Sequence, residues 1–230
     1  MTERTIHYER EMKILQDKLT EFLNNVESLF EKTLLALKTG NEVLIKQIEE
    51  QDDYFDKLDS EIQSIAFDII AKYQPLADDL RFVVAMIGLS IDLERIADEC
   101  VNIAQLARQV QRGVESFSAW QSLNDMIRII LTMFTGTVQA FSNKDLNLAV
   151  KVWKKDDEVD MLHNHGHQEL IQLACKETNQ NLIRVYLEEA FLIRHLERIA
   201  DHLTNIVEKL YFMEIGQQLK DLMYKKEEKG

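Results

Sequence analysis

Four acidic residues around one predicted chain reversal have the types and spacing of a cation site. Asp52 and Asp56 precede the turn at Gln74-Pro75, and Glu94 and Asp98 follow it. The two acids of each pair are four positions apart, so on a helix they lie one turn apart on the same face. If the chain reverses near Pro75, residues equidistant from the turn come level. This pairs Asp52 with Asp98, and Asp56 with Glu94.

The same acidic pairs recur in the second half of the chain. Asp156 and Asp160 lie 104 residues after the first pair, and Glu197 and Asp201 lie 103 residues after the second pair. The neighbouring residues repeat as well, because the sequence ERIAD occurs at 94–98 and again at 197–201. Agreement in both position and neighbours indicates an internal duplication of about 103 residues. It also predicts a second reversal, near Thr178-Asn179.

Long amphipathic helices must position these acids. Apolar residues recur at spacings of three and four, and one Pro and seven Gly leave little material for turns. Ser116 or Ser118 is expected to cap the fourth helix, and Gly113 to end the third. The pattern predicts six helices, over residues 4–39, 41–73, 75–112, 116–141, 144–176 and 181–214. Because their connections are short, sequential helices are expected to be antiparallel neighbours.

The predicted fold is all-α, with two tandem antiparallel three-helix bundles related by the internal duplication. Residues 1–113 form the first bundle and 114–216 the second, while 217–230 form a charged C-terminal tail that we expect to be frayed. Three glycines, Gly88, Gly136 and Gly166, interrupt predicted helices, where each costs about 1 kcal/mol relative to Ala. We expect them at close helix crossings.

The clustered acids leave two interpretations open. Like charges at this spacing cost roughly 0.2 to 0.5 kcal/mol per pair even on an exposed helix, so a bound cation is one expectation. Oxygen ligands favour Mg²⁺, Mn²⁺, Ca²⁺ or oxidised iron, and Asn102 and Asn205 offer further carbonyl oxygens. Alternatively, the acids are solvated helix flanks that pair with Arg95, Arg198 and nearby lysines. Their recurrence in register favours the metal site.

Histidines beside the second set of acids offer nitrogen ligands. His163 and His167 share a helical face with Asp160, and nitrogen would favour zinc or iron. The matching positions of the first half hold Asp59 and Gln63, so histidine is not required by the common design. A surface cluster without function is an equal alternative.

Composition narrows the class of protein. A net charge of −13 and a pI near 4.9 argue against nucleic-acid binding, because phosphate recognition needs clustered Lys and Arg. The sequence shows neither a run of about 18 apolar residues nor a signal peptide, so we expect a cytoplasmic protein without direct membrane insertion. Cys100 and Cys175 are predicted to be small buried thiols. His195 and His202 are interpreted as ordinary, partly exposed residues.

Several of these segments resemble the PhoU family of phosphate-signalling proteins. The resemblance rests on the duplicated acidic motifs, on QPLADDLR at 74–81 and on DHLTNI at 201–206, and it extends over essentially the whole chain. It implies paired three-helix bundles, similar to spectrin repeats, that hold multinuclear clusters of iron or zinc, with Mg, Mn and Ca as alternatives. The implied ligands are Asp52, Asp56, Glu94 and Asp98 in one cluster and Asp156, Asp160, Glu197 and Asp201 in the other.

The resemblance also implies a function. Members of the family are non-enzymatic, cytoplasmic and often dimeric negative regulators of phosphate uptake and phosphate-starvation signalling. They are thought to couple the phosphate ABC transporter to a sensor histidine kinase. This sequence departs from the family pattern at 177–180, which lacks Gln-Pro, and at Asp52, which replaces Glu and leaves the identity of the metal open.

Two other functions fit parts of the pattern. A carboxylate-bridged metalloenzyme of a helical bundle would use Glu-x-x-His on two helices, and that motif does not occur in the sequence. A metal-free helical scaffold would use the acids only for solubility. Elemental analysis of the purified protein distinguishes the scaffold from the metal-binding regulator.

Overall fold

The computed structural model describes residues 3–110 and 121–227, and within these ranges every regular element is an α-helix. In chain order the helices are α1 (Glu3–Thr39), α2 (Glu42–Glu49), α3 (Asp52–Tyr73), α4 (Ala77–Val110), α5 (Gln121–Asn143), α6 (Leu146–Trp153), α7 (Asp156–Lys176), α8 (Gln180–Ile215) and α9 (Leu219–Glu227). The predicted all-α class is confirmed. The expected helix end at Gly113 and the caps at Ser116 or Ser118 lie outside the described residues.

The helices form the two predicted bundles. In the first, α1 and the α2–α3 segment pack on α4; in the second, α5 and the α6–α7 segment pack on α8. The bundles meet mainly along α4 and α8, and α1 also contacts α5. One apolar core joins both halves, with Phe30 of α1 stacked on Phe134 of α5 at 5.0 Å between ring centroids. The hairpins that carry the acids are α3–α4 and α7–α8.

Two helices predicted to be continuous are each interrupted once. The breaks fall at Glu50-Gln51 and Lys154-Lys155, where no Gly or Pro marks them. At the first break, the amide of Gln51 donates to the carbonyl of Ile48 at 3.1 Å instead of continuing the regular helical ladder. The second break has the same short turn. Each half therefore starts a new helix at its first acidic pair, where the helix dipole favours negative charge.

The duplication extends to the backbone and caps before α2 and α6. Gly40 and Lys144 both have positive φ, of 59° and 53°, and they occupy matching positions. The next residues, Asn41 and Asp145, cap the following helices by accepting hydrogen bonds from the two backbone amides in the first turn. The same turn therefore aligns the middle helix in both bundles.

The C-terminal tail is more ordered than predicted. Residues 219–227 form α9, which packs on α8 through the buried side chains of Leu219 and Met223. These residues are four positions apart, so one face of a short helix gains enough apolar contact to hold it. The expectation of a frayed tail is therefore wrong for this segment.

The three mid-helix glycines lie where a neighbouring helix approaches closely, as predicted. A Cβ at Gly166 of α7 would come 2.8 Å from Cδ1 of Ile193 on α8, and Gly88 and Gly136 are similarly crowded by side chains of α8 and α6. Cys100 is buried as expected, but Cys175 is exposed, so the prediction of a buried thiol is wrong there. Among the described residues, no helix is both long and apolar enough to cross a membrane.

Candidate metal centre

The α3–α4 hairpin brings together three of the four acids predicted in the first half. Ligand oxygens of Asp56, Glu94 and Asp98 all lie within 4.8 Å of one another. Asp56 is exposed on α3, and the two α4 acids are half-buried. Asp52 begins α3 one turn earlier and lies outside this group of three. We call Asp56, Glu94 and Asp98 the first acidic cluster.

The first acidic cluster is unfavourable for negative charge. Burial, followed by the charge of Asp98, raises the pKa of Glu94 to about 7, although the nearby Arg95 opposes the shift. Burial also raises the pKa of Asp98, against the effect of Arg95 and together with the charges of Asp52 and Asp56. Burial and the charge of Asp56 raise the pKa of Asp52. A cation at this position would offset both the energetic cost of burying these carboxylates and the repulsion between them.

Arg95 partly compensates the cluster. Its guanidinium lies 3.3 Å from Glu94 and 3.2 Å from Asp98. The arginine side chain is half exposed, so its charge is screened by water. The pKa of each carboxyl stays raised in spite of this ion pair. The interpretation of the acids as flanks paired with arginine therefore accounts for only part of their charge.

The α7–α8 hairpin gives the second half a looser arrangement. Burial, then the charges of Asp201 and Asp160, raises the pKa of Asp156 to about 7. Burial, then Asp201 and Asp160, raises the pKa of Glu197, and burial and Asp160 raise that of Asp201. The acids of α7 therefore lie close enough to those of α8 to influence them, and Asp160 influences both Glu197 and Asp201. Within the described part of the chain, however, no three of them come within the 4.8 Å that defines the first cluster.

Two buried carboxylates between the bundles, and the basic side chains that contact them, were missed by sequence reasoning. Glu99 of α4, whose side chain is 2% exposed, contacts Nδ1 of His195 at 2.5 Å and forms an ion pair with Arg198 at 2.7 Å. Burial favours the neutral acid, but the hydrogen bond and charge of His195, with the charge of Arg198 and a hydrogen bond from Asn102, lower the pKa of Glu99 overall. Asn102, considered above as a metal ligand, is thus engaged here.

A second ion pair of the same kind lies further along α4 and α8. Asp92, also buried, contacts Nδ1 of His202 at 3.0 Å and Nζ of Lys209. His195 and His202 are partly exposed as expected, at 19% and 18%, but each contacts a buried carboxylate, so they are not ordinary surface residues. The sequence contained a signal for both pairs, because Asp92 matches His195 in the duplication and Glu99 matches His202. Opposite charges at matching positions allow two equivalent helices to pair across a pseudo-twofold axis.

The donors of the first acidic cluster fit a hard or borderline cation. They are oxygens only, they come from two helices, and burial, followed by the surrounding charges, raises the pKa of both Glu94 and Asp98. Such sets suit Mg²⁺, Mn²⁺, Ca²⁺ and iron. A bound ion there would hold α3 and α4 together at one level of the hairpin.

Comparison with known proteins places both halves in one family. A sequence model of the PhoU domain matches residues 19–107 and again residues 123–210, which confirms the duplication. The chain is 31% identical over 220 residues to the phosphate-specific transport system accessory protein PhoU homolog 1 of Thermotoga maritima, covering 95% of this chain and 93% of that protein. It is 33% identical over 212 residues to the PhoU homolog of Zymomonas mobilis, covering 92% and 88% respectively.

The fold is similar to solved structures as well. The crystal structure of PhoU from Pseudomonas aeruginosa matches with a TM-score of 0.85 and 28% identity, covering 91% of this chain and 100% of that one. The phosphate transport system regulatory protein PhoU from Streptococcus pneumoniae matches with a TM-score of 0.82 and 25% identity, covering 92% and 99%. The tandem bundles are therefore a shared architecture.

Proposed function

This chain belongs to the PhoU family, and we propose that it is a non-enzymatic accessory protein of a phosphate-specific transport system that regulates phosphate uptake. One observation carries this assignment: the PhoU domain matches both halves of the chain. A relative described as a phosphate-specific transport system accessory protein, from Thermotoga maritima, aligns at 31% identity over 93% of its length. The assignment therefore applies to both bundles of the chain.

In its finer form, the proposal makes the protein a negative regulator of phosphate-starvation signalling. It couples the phosphate ABC transporter to a sensor histidine kinase and works in the cytoplasm as a homodimer. The resemblance of the segments at 74–81 and 201–206 to the family supports this form. A protein made of long helices with exposed faces suits docking between two larger partners.

We further propose that multinuclear clusters of iron or zinc occupy the two acidic hairpins. Asp52 and the first acidic cluster would hold one of them, and Asp156, Asp160, Glu197 and Asp201 would hold the other. The convergence of Asp56, Glu94 and Asp98 within 4.8 Å supports the first site. The metal would supply positive charge that joins the two arms of each hairpin, which makes its role structural or part of a docking surface.

Deletion of the gene in its host tests the regulatory role. In phosphate-replete medium we expect transcripts of phosphate-uptake genes to rise, and reintroduction of the wild-type chain to restore repression. A tagged protein from the same cells is expected to retain components of the transporter and the kinase. Unchanged transcripts, together with no transporter component in the pulldown, would defeat the phosphate assignment.

Elemental analysis tests the metal proposal separately. Purified protein is expected to contain iron or zinc, and addition of metal to stripped protein is expected to raise its thermal stability. The triple variant Asp56→Asn, Glu94→Gln and Asp98→Asn should lose the share of metal held by the first cluster. If the wild-type protein neither binds a transition metal nor gains stability from one, the clusters are excluded while regulation by docking is not.

A further inference from the structure

The two halves differ at one polar pair beside the acidic motifs. In the first half this pair is Asp59 and Gln63 on α3, and the matching residues of α7 are His163 and His167. The amide of Gln63 donates to Asp59 at 2.7 Å, and the hydroxyl of Ser90 donates to the other oxygen of Asp59, also at 2.7 Å. The first-half pair is thus held by hydrogen bonds within its own hairpin.

The histidine pair has no such partners. The residue that matches Ser90 is Ile193, which offers no polar side-chain atom. Among the described residues, neither imidazole forms a hydrogen bond or an ion pair, and both rings are only half-buried. The rings contact each other, with centroids 4.6 Å apart and planes at 74°. Two imidazoles one helical turn apart therefore keep their nitrogens available.

We propose that His163 and His167 form a two-nitrogen chelate for a borderline divalent transition metal such as Zn²⁺. With zinc-to-nitrogen bonds of about 2.0 to 2.1 Å, two imidazoles on one tetrahedral ion have centroids about 5 Å apart, close to the observed spacing. Asp160 shares their helical face one turn earlier, but its carboxylate does not lie within 4.8 Å of both imidazoles, so the chelate consists of the two histidines. Imidazole nitrogen favours zinc, nickel and copper over the hard cations that suit oxygen-only ligands.

The surrounding charges agree with this role. Burial, then the charge of His167, lowers the pKa of His163, with Asp160 opposing and Arg194 of α8 assisting the shift. A neutral imidazole is the form that binds a metal. The chelate does not depend on the regulatory role or on the first acidic cluster, because both of its ligands lie on α7. It gives the second half of the protein a metal preference that the first half lacks.

Zinc titration of the full-length, metal-stripped protein tests the chelate. Long-range ¹H–¹⁵N NMR spectra of the histidines report which ring nitrogens are coordinated, and competition with a chromophoric chelator gives the affinity. In the wild-type chain we expect one nitrogen of each of His163 and His167 to shift on zinc binding. The variant His163→Asp with His167→Gln, which copies the first half, should lose these shifts and weaken this site at least tenfold.

His165 provides the matched control. It lies on the same helix but is more exposed and contacts Glu169 at 3.7 Å. His165→Gln should therefore leave the zinc affinity and the two imidazole shifts unchanged. The single variants His163→Gln and His167→Gln, each checked for helical content, should each lose the bidentate signature even if the double variant folds poorly.

Two results would overturn the chelate. One is a wild-type titration in which neither imidazole becomes coordinated, and the other is an unchanged affinity in a folded His163 or His167 variant. The triple variant of the first acidic cluster separates this inference from the proposed first cluster. It should reduce total metal content while leaving the imidazole shifts in place, so the chelate and the first cluster can fail independently.

Discussion

Replacing Glu94 by Gln tests whether the first acidic cluster is held together at an energetic cost that a cation relieves. The Glu94 side chain is 17% exposed and shares the cluster with two other acids. Its pKa rises from 4.5 to about 7, because burial and the charge of Asp98 disfavour the ionised form. At pH 8 the carboxylate is charged in both the folded and the unfolded chain. The shift then destabilises the folded state by up to about 3 kcal/mol, at 1.36 kcal/mol per pKa unit.

The sign of the pH dependence follows from the raised pKa. Between pH 4.5 and 7 the unfolded chain loses the proton of Glu94 first, so the free energy of unfolding falls as the pH rises. Below pH 4.5 the penalty is absent. In the metal-free protein we therefore expect Glu94→Gln to raise the free energy of unfolding by about 2 to 3 kcal/mol at pH 8, and by less than about 1 kcal/mol at pH 5.

Urea denaturation in the presence of a chelator measures this difference, with matched m-values as the check on two-state unfolding. Saturating metal should reverse the order of stability, so that the wild-type chain becomes more stable than the variant. A metal at a thousand times its Kd stabilises the wild-type chain by about 4.1 kcal/mol, which exceeds the metal-free advantage of the variant, whereas the variant loses a ligand and most of that gain. Glu50→Gln is the control, because this exposed residue forms only a loose helical ion pair with Lys46. A variant that is less stable at pH 8 without metal, or equally stabilised at pH 5 and 8, would refute the reasoning.

Three further substitutions test other parts of the fold. Glu189 is buried with an unpaired oxygen, and burial raises its pKa to about 7. Glu189→Met copies the matching residue, Met86, and should raise Tm in thermal scans by several degrees at pH 8 and by less at pH 5. An equal gain at both pH values would contradict this. Glu99→Gln leaves its basic partners in the bundle interface without a counter-charge, so the free energy of unfolding should drop by about 2 to 4 kcal/mol and hydrogen exchange in α4 and α8 should become faster. Unchanged exchange in these two helices would show that the interface does not depend on Glu99. Gly216→Ala should lower the free energy of unfolding, measured by urea denaturation, by about 1 to 2 kcal/mol, because φ is +74° and the new Cβ would come 2.7 Å from Arg81. An unchanged free energy would mean that the Arg81 side chain moves away without a loss of stability.

The acidic hairpins show how far sequence reasoning extended into the site. Level pairing of the acids followed from helix geometry and from the position of each turn, and the carboxylates do interact across both hairpins. The compactness of the first cluster, which includes Asp56 but leaves Asp52 outside, was not predictable. It depends on side-chain conformations and on small differences in helix spacing, which apolar periodicity does not record.

The interruptions at Glu50-Gln51 and Lys154-Lys155 show a second limit. Apolar residues continue in phase through both positions, and neither Gly nor Pro signals a change. The break is a slip of the hydrogen-bond pattern that lets each middle helix follow its neighbours in the bundle. Tertiary packing decides such a slip, so local propensity gives no reason to expect it.

The sequence by itself determined the helical class, the duplication and the chain reversals, because these depend on periodicity and on residues repeated in register. Only the tertiary structure decided how the two bundles meet. The pairing of Glu99 with His195, and of Asp92 with His202, joins residues about a hundred positions apart on helices of different bundles. Such pairs become specific when α4 and α8 pack and exclude water around the charges, and no pattern within a single helix carries that information.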